Sequence, residues 1–193
     1  MSQKGFSGAM FIFCLMLLTL ALLIIGCGAN SDEDENQPNT GITGRIYTNR
    51  EYGFQISLPA ELIGWSITDD TGGMTLVIMK GLSDPPSQPS ANVVVEPLSV
   101  SLTSKEYLEA SVVTLKSVIK DWKEESRRTI KIGGKDGYEI IYTGKIVSDV
   151  TFKWIQQLVV KGKYGYVITG ANVAEKFVED VFLKIMATFR FLP

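Results

Sequence analysis

Histidine is absent from all 193 residues. That absence removes Ser-His-Asp and Cys-His catalysis, His-ligated zinc and imidazole acid–base work. Cysteine is nearly absent too, with only Cys14 and Cys27. Cys14 sits inside an apolar run and counts as a small apolar residue. Charge excess of one sign is also missing, the net charge being −2. Lys4 is the only basic residue before Gly41, and Asp32-Glu33-Asp34-Glu35 holds four of the 21 acidic residues, so 41–193 carries 18 basic and 17 acidic side chains. A domain this close to neutral has no nucleic-acid footprint. Carboxylate, lysine or tyrosine chemistry stays open, but no motif claims it. Nothing in the chain implies a cofactor.

Long apolar runs are limited to one. Ala9 to Ile25 is almost unbroken, 17 residues long. As a helix it spans about 25 Å, short of a hydrocarbon core of about 30 Å. A charged start, an apolar core and small residues at the end describe a secretory signal. The run closes with Leu23-Ile24-Ile25-Gly26-Cys27, which resembles the lipobox of bacterial lipoproteins. The resemblance implies removal of residues 1–26 and a diacylglyceryl thioether on Cys27, usually with a further acyl chain on its amine. Each buried CH₂ contributes about 0.8 kcal/mol, and about two chains suffice for stable anchoring. The alternative is an uncleaved membrane anchor. With Cys27 lipidated, no thiol is left for a disulfide or a metal site. Gly28, where Asp would signal inner-membrane retention in a Gram-negative host, favours the outer membrane.

Residues 27–41 read as a lipidated Cys followed by a polar, acidic, disordered tether. Its reach is about 20 Å. The acidic run is expected to be solvated rather than a cation site.

From Ile42 to Pro193 the pattern is that of one ordinary domain. Gly44 to Thr48 and Phe54 to Leu58 form a hairpin, with Phe54, Ile56 and Leu58 on one face. Trp65–Asp69 and Met74–Lys80 flank a turn at 70–73. Gly81 to Ser90, with Pro85, Pro86 and Pro89, reads as a mobile loop. Ala91–Leu98 is a further strand. A helix is expected from Thr103 to about Glu125, with Leu108, Val112, Leu115, Ile119 and Trp122 as its apolar stripe. Thr103 and Glu106 make a capping box, with Leu102 and Tyr107 as the staple. Lys105–Glu109 and Lys120–Glu124 are then i,i+4 pairs. Strands follow over 127–132, 138–147, 152–160 and 164–169. Asn172 caps a last helix, with Glu175 at its third position and Phe177, Val181, Ile185 and Phe189 as its stripe, flanked by Val178, Phe182 and Met186. Strands joined by tight turns make antiparallel pairs, so the fold class is α+β: an antiparallel sheet covered by two helices.

The string Glu51-Tyr52-Gly53-Phe54-Gln55-Ile56-Ser57-Leu58-Pro59, followed by Trp65, is similar to the opening of PsbP-like domains. That group includes extrinsic photosystem proteins, Ran-binding Mog-type proteins and many bacterial lipoproteins. The similarity continues through the Tyr107 helix, Gly137-Tyr138-Glu139, Tyr166-Val167-Ile168-Thr169 and Phe189-Arg190-Phe191, over about 45–192. It implies an α/β/α sandwich and no catalytic activity. Together these readings describe a membrane-anchored, extracytoplasmic lipoprotein. It would act as a non-enzymatic binding or assembly module with an envelope-protein partner. The alternative is a carrier of a small hydrophobic ligand.

Candidate sites are few. Tyr138, Tyr142, Tyr164 and Tyr166, with Phe152 and Trp154, are aromatic candidates for a ligand or partner groove, Tyr138, Tyr142, Trp154 and Tyr166 foremost. The competing reading is sheet core with cross-strand pairs. Gly133-Gly134-Lys135-Asp136-Gly137 has the glycines of a phosphate loop but lacks its spacing, so a hairpin turn is expected. Asp69-Asp70 reads as a turn rather than a carboxylate pair. Arg127-Arg128 with Lys131 reads as a solvated face rather than an anion or headgroup patch.

Overall fold

Seven strands, laid side by side, dominate the domain. The computed structural model describes residues 40–70, 75–146 and 149–193. The segment read as a signal, Cys27 and most of the expected tether lie outside the described residues. Gly41, placed above at the end of the tether, instead opens the first strand.

The large sheet has the order β4-β5-β6-β10-β9-β8-β7. Its strands are β4 (Ser66–Asp69), β5 (Thr75–Lys80), β6 (Ser90–Pro97), β7 (Lys120–Ile132), β8 (Lys135–Lys145), β9 (Phe152–Lys161) and β10 (Tyr164–Val173). All its neighbours pair antiparallel. A second, four-stranded sheet joins β1 (Gly41–Thr43), β2 (Ile46–Asn49), β3 (Phe54–Ser57) and β11 (Arg190–Phe191) in the order β1-β2-β3-β11. The first and last of the described strands thus form the two edges of one sheet.

Helix α1 (Ser104–Val118) packs on one face of the large sheet. The other face is covered by the small sheet together with helix α2 (Glu179–Met186). The expected antiparallel sheet with a helix on each face is present, but two helices alone do not cover it. Seven strands measure roughly 29 Å across at ~4.8 Å spacing, whereas an eight-residue helix is about 12 Å long. The remaining apolar face needs a second cover, and Tyr47, Phe54 and Ile56 of the small sheet, with Leu58 just after it, provide it, each at most 4% exposed.

The capping box at Thr103 forms as expected. Its hydroxyl accepts from the Glu106 N–H at 3.2 Å, and Glu106 Oε2 accepts from the Thr103 N–H at 2.8 Å. The helix then stops seven residues early. Val118 is its last residue and Ile119 is extended. Asp121 turns the chain with φ 56°, and β7 runs from Lys120. Leu108, Val112, Leu115 and Ile119 are buried as predicted, but Trp122 belongs to the sheet. Residue 122 fits the 3.6-residue stripe by coincidence, and ladder pairing with β8 decides the matter. The helical pairs change with it: Glu109 bonds Arg127 at 2.6 Å, and Glu124 bonds the same guanidinium at 2.9 Å.

The last helix also begins later than expected. Strand β10 runs on to Val173, and Asn172 donates from its carboxamide to the Lys176 carbonyl at 3.1 Å, closing a 3₁₀ turn. Helix α2 buries Ile185 of the expected stripe with the flanking Phe182 and Met186, while Val181 is only half-buried.

Candidate functional site

Strand β8 alternates strictly. Tyr138, Ile140 and Tyr142 face α1, while Ile141 faces the second layer. Glu139 shares the face of Ile141 by period two and ends 2% exposed. A carboxylate so placed needs partners, and the register supplies them. Arg128 on β7 and Gln157 on β9 stand directly opposite Glu139. Arg128 Nε and Nη2 both donate to Glu139 Oε1, at 2.7 and 2.6 Å. Gln157 Nε2 donates to Oε2 at 2.9 Å. Three strands therefore hold one polar ladder, whose outer end, the Arg128 side chain, is 58% exposed.

The ladder borders a cleft of about 360 Å³ between β7–β9 and the end of α2. Ile130 and Leu183 form apolar walls over a floor that includes Met186 and Phe189, and Ala187 stands at the rim. This volume lies at the lower end of small-molecule clefts, about 300–1,000 Å³. The cleft combines an apolar body with one rigidly positioned cation.

The aromatic candidates do not form one groove. Trp122 stacks on Tyr142 at 4.1 Å, and Tyr142 on Trp154 at 5.2 Å, all on the α1 side. Tyr138 is half-buried in the same cluster. Tyr166 lies on the other side, edge-on to Phe54 at 6.2 Å and to Phe191 at 5.0 Å. Its hydroxyl donates to the Tyr52 carbonyl at 2.8 Å, and burial pushes its pKa up to about 12. Tyr142, Trp154 and Tyr166 are at most 6% exposed, which makes them core, not open ligand surface. The Trp122 Nε1 is buried without a hydrogen-bond partner among the described residues.

The remaining candidates resolve into structural roles. Gly133 and Gly134, at φ 54° and 83°, turn the β7–β8 hairpin. Arg127 pairs with Glu109 and Glu124, Arg128 with Glu139, and Lys131 with Asp136 at 2.7 Å, so the basic run is a row of ion pairs. This charge on β7, an edge strand, discourages strand addition by another chain. Asp69 lies beside Tyr47, and burial raises its carboxyl above the ordinary range. Among the described residues, no cluster of three or more His, Cys, Asp or Glu could hold a metal ion. No described helix is long and apolar enough to cross a membrane. Sequence reasoning passed over Glu139, Arg128 and Gln157 as a unit. The available signal was Gln156-Gln157, two consecutive carboxamides inside the otherwise apolar run Trp154 to Val160.

No family model matches the chain, and no curated protein matches it by sequence. Solved structures do. The solution structure of cyanobacterial PsbP (CyanoP) from Synechocystis sp. PCC 6803 superposes with TM-score 0.55 at 12% identity, covering 81% of this chain and 98% of that one. The chain has the PsbP-like fold. A second PsbP-like neighbour is LpqN, involved in cell envelope biogenesis of Mycobacterium tuberculosis, with TM-score 0.60, 12% identity and coverages of 79% and 87%. A third is the Saccharomyces cerevisiae Ran-binding protein Mog1p, with TM-score 0.52, 11% identity and coverages of 77% and 95%. At such identities the likeness is one of fold alone.

Proposed function

We propose that this PsbP-like protein is a lipid-anchored binding or assembly module outside the cytoplasm that performs no chemistry of its own. The anchor is Cys27, and residues 28–40 tether the domain to the membrane. The absence of histidine from the sequence, and of any recognisable catalytic constellation among the described residues, supports a binding role. LpqN, with the same fold, is associated with cell envelope biogenesis, and an envelope-protein partner fits here as well. The observation that carries the reading is the cleft with its fixed Arg128–Glu139–Gln157 ladder. A photocrosslinker at Ala187, on the cleft rim, is the test, with Val113 on the exposed side of α1 as reference. The full-length protein in a bacterial envelope should give one recurrent adduct from position 187 and none from 113. Equal patterns from both positions refute the assignment.

A second reading, a carrier of a small hydrophobic ligand, is favoured by the apolar walls between sheet and α2. Native mass spectrometry of protein released from its own membranes would then show a bound mass; a bare chain argues against it.

A further inference from the structure

We infer that the cleft takes an amphiphilic carboxylate, its anionic head on Arg128 and its aliphatic body along Ile130, Leu183 and Ala187. This rests on the carrier reading and names the ligand class for the same cleft.

The guanidinium is the starting point. Its Nε and Nη2 are committed to a single oxygen of Glu139, and Gln157 fixes that carboxylate from behind. A planar cation held on one edge offers its other edge to a second acceptor at little further ordering cost. Glu139 is thereby a positioning residue, and Arg128 the recognising one. With 58% of the Arg128 side chain exposed, a ligand reaches it from the rim. Lys131, also lining the cleft, holds Asp136 in a pair whose partners are 67% and 77% exposed. Such pairs contribute little and open readily, so a second cation can turn to an incoming anion.

The apolar half is as specific. Leu183 and Ile130 are only half-buried, and Ala187 is exposed, so aliphatic surface is available next to the cation. Beneath them Met186, Ile132 and Phe189 are at most 5% exposed and form a closed floor. A wholly neutral ligand leaves the guanidinium edge unused, and a fully polar one leaves the walls wet. A carboxylate with a medium-length chain satisfies both, and charge-assisted bonds to Arg are the strong class.

The test uses full-length protein in phosphatidylcholine nanodiscs with two diazirine probes, one built on decanoate and one on decanol. Labelling is mapped by peptide and titrated. Half-maximal labelling by the decanoate probe should need roughly tenfold less probe than by decanol, with adducts on the peptides carrying Ile130 and Leu183. Arg128→Gln should bring the two probes within about threefold. Ala187→Trp, which fills the rim, should abolish cleft labelling by both. Raising the salt from 50 to 500 mM should weaken decanoate but not decanol, a readout independent of any variant. Equal affinity of the two probes, with cleft labelling lost in Ala187→Trp, overturns the carboxylate and leaves the carrier reading standing. Labelling unchanged by Ala187→Trp, or none on the cleft peptides, overturns both.

Discussion

Arg128 reaches from the edge strand to grip one oxygen of Glu139 with two nitrogens, while only 2% of the Glu139 side chain meets solvent. One partner is wet and the other dry. The pair is therefore asymmetric: removing the exposed arginine strands a buried carboxylate, whereas replacing both residues removes the stranded charge and leaves only the neutral Gln157 carboxamide short of an acceptor.

Arg128→Leu should cost about 1–3 kcal/mol, the penalty for a buried acceptor left with one partner fewer. The double variant Arg128→Leu/Glu139→Leu should regain much of that loss. Urea denaturation of the four corners of the cycle is the measurement. Unchanged midpoints in Arg128→Leu would show that water, not arginine, satisfies Glu139.

Trp122 supplies the second prediction. It stacks on Tyr142 from strand β7 and is only partly buried. Trp122→Ala should cost about 2 kcal/mol, below the ~3–5 kcal/mol of a fully buried Trp. Lys116→Ala, on the exposed side of α1, should stay within about 0.5 kcal/mol. Near-UV circular dichroism should also lose the Trp–Tyr signal in the first variant. A retained signal with an unaltered midpoint would place Trp122 outside the stack.

The third prediction concerns pH. Burial raises the Glu96 carboxyl above its ordinary value, partly offset by the hydroxyl of Tyr107, which donates to Glu96 Oε2 at 2.9 Å. A raised carboxylate pKa means that the folded state holds the proton longer. The contribution is then fully present below the unfolded-state pKa and is lost as pH rises through the folded one. Glu96→Gln keeps an acceptor for Tyr107 and removes the charge. Its melting temperature should exceed the wild type at pH 7 and converge with it in acid. A variant less stable than wild type at pH 7 contradicts this.

Lipidation is tested separately. Cys27→Ser should leave an unprocessed precursor that takes up no fatty-acid analogue. Equal labelling of mutant and wild type would remove the anchor from the account.

Much of the domain is legible along the chain because its signals are local. The capping box needs only Thr103 and Glu106, three residues apart. The β9–β10 turn at Gly162 follows from two apolar runs separated by a glycine. The errors share a cause. Trp122 suits both a helical stripe and a strand, and only the partner strand β8, whose Tyr142 receives its ring, settles which. Asn172 is a good cap by composition, yet the Lys176 carbonyl takes its carboxamide. The ladder through Arg128, Glu139 and Gln157 spans three strands, so no sequence window contains it.

Sequence by itself determined the absence of imidazole chemistry, the lipobox-like string ending at Cys27, the antiparallel α+β class and the hairpin pairings, because composition, period and turn chemistry act over a few residues. Tertiary structure alone decided that the first described strand and the last share a second sheet, that Tyr166 and Tyr142 lie on opposite faces, and that a glutamate in the interior fixes an arginine at the rim of a cleft. The reason is that burial and register are set between segments far apart in the chain. A side chain's role depends on which strand arrives beside it.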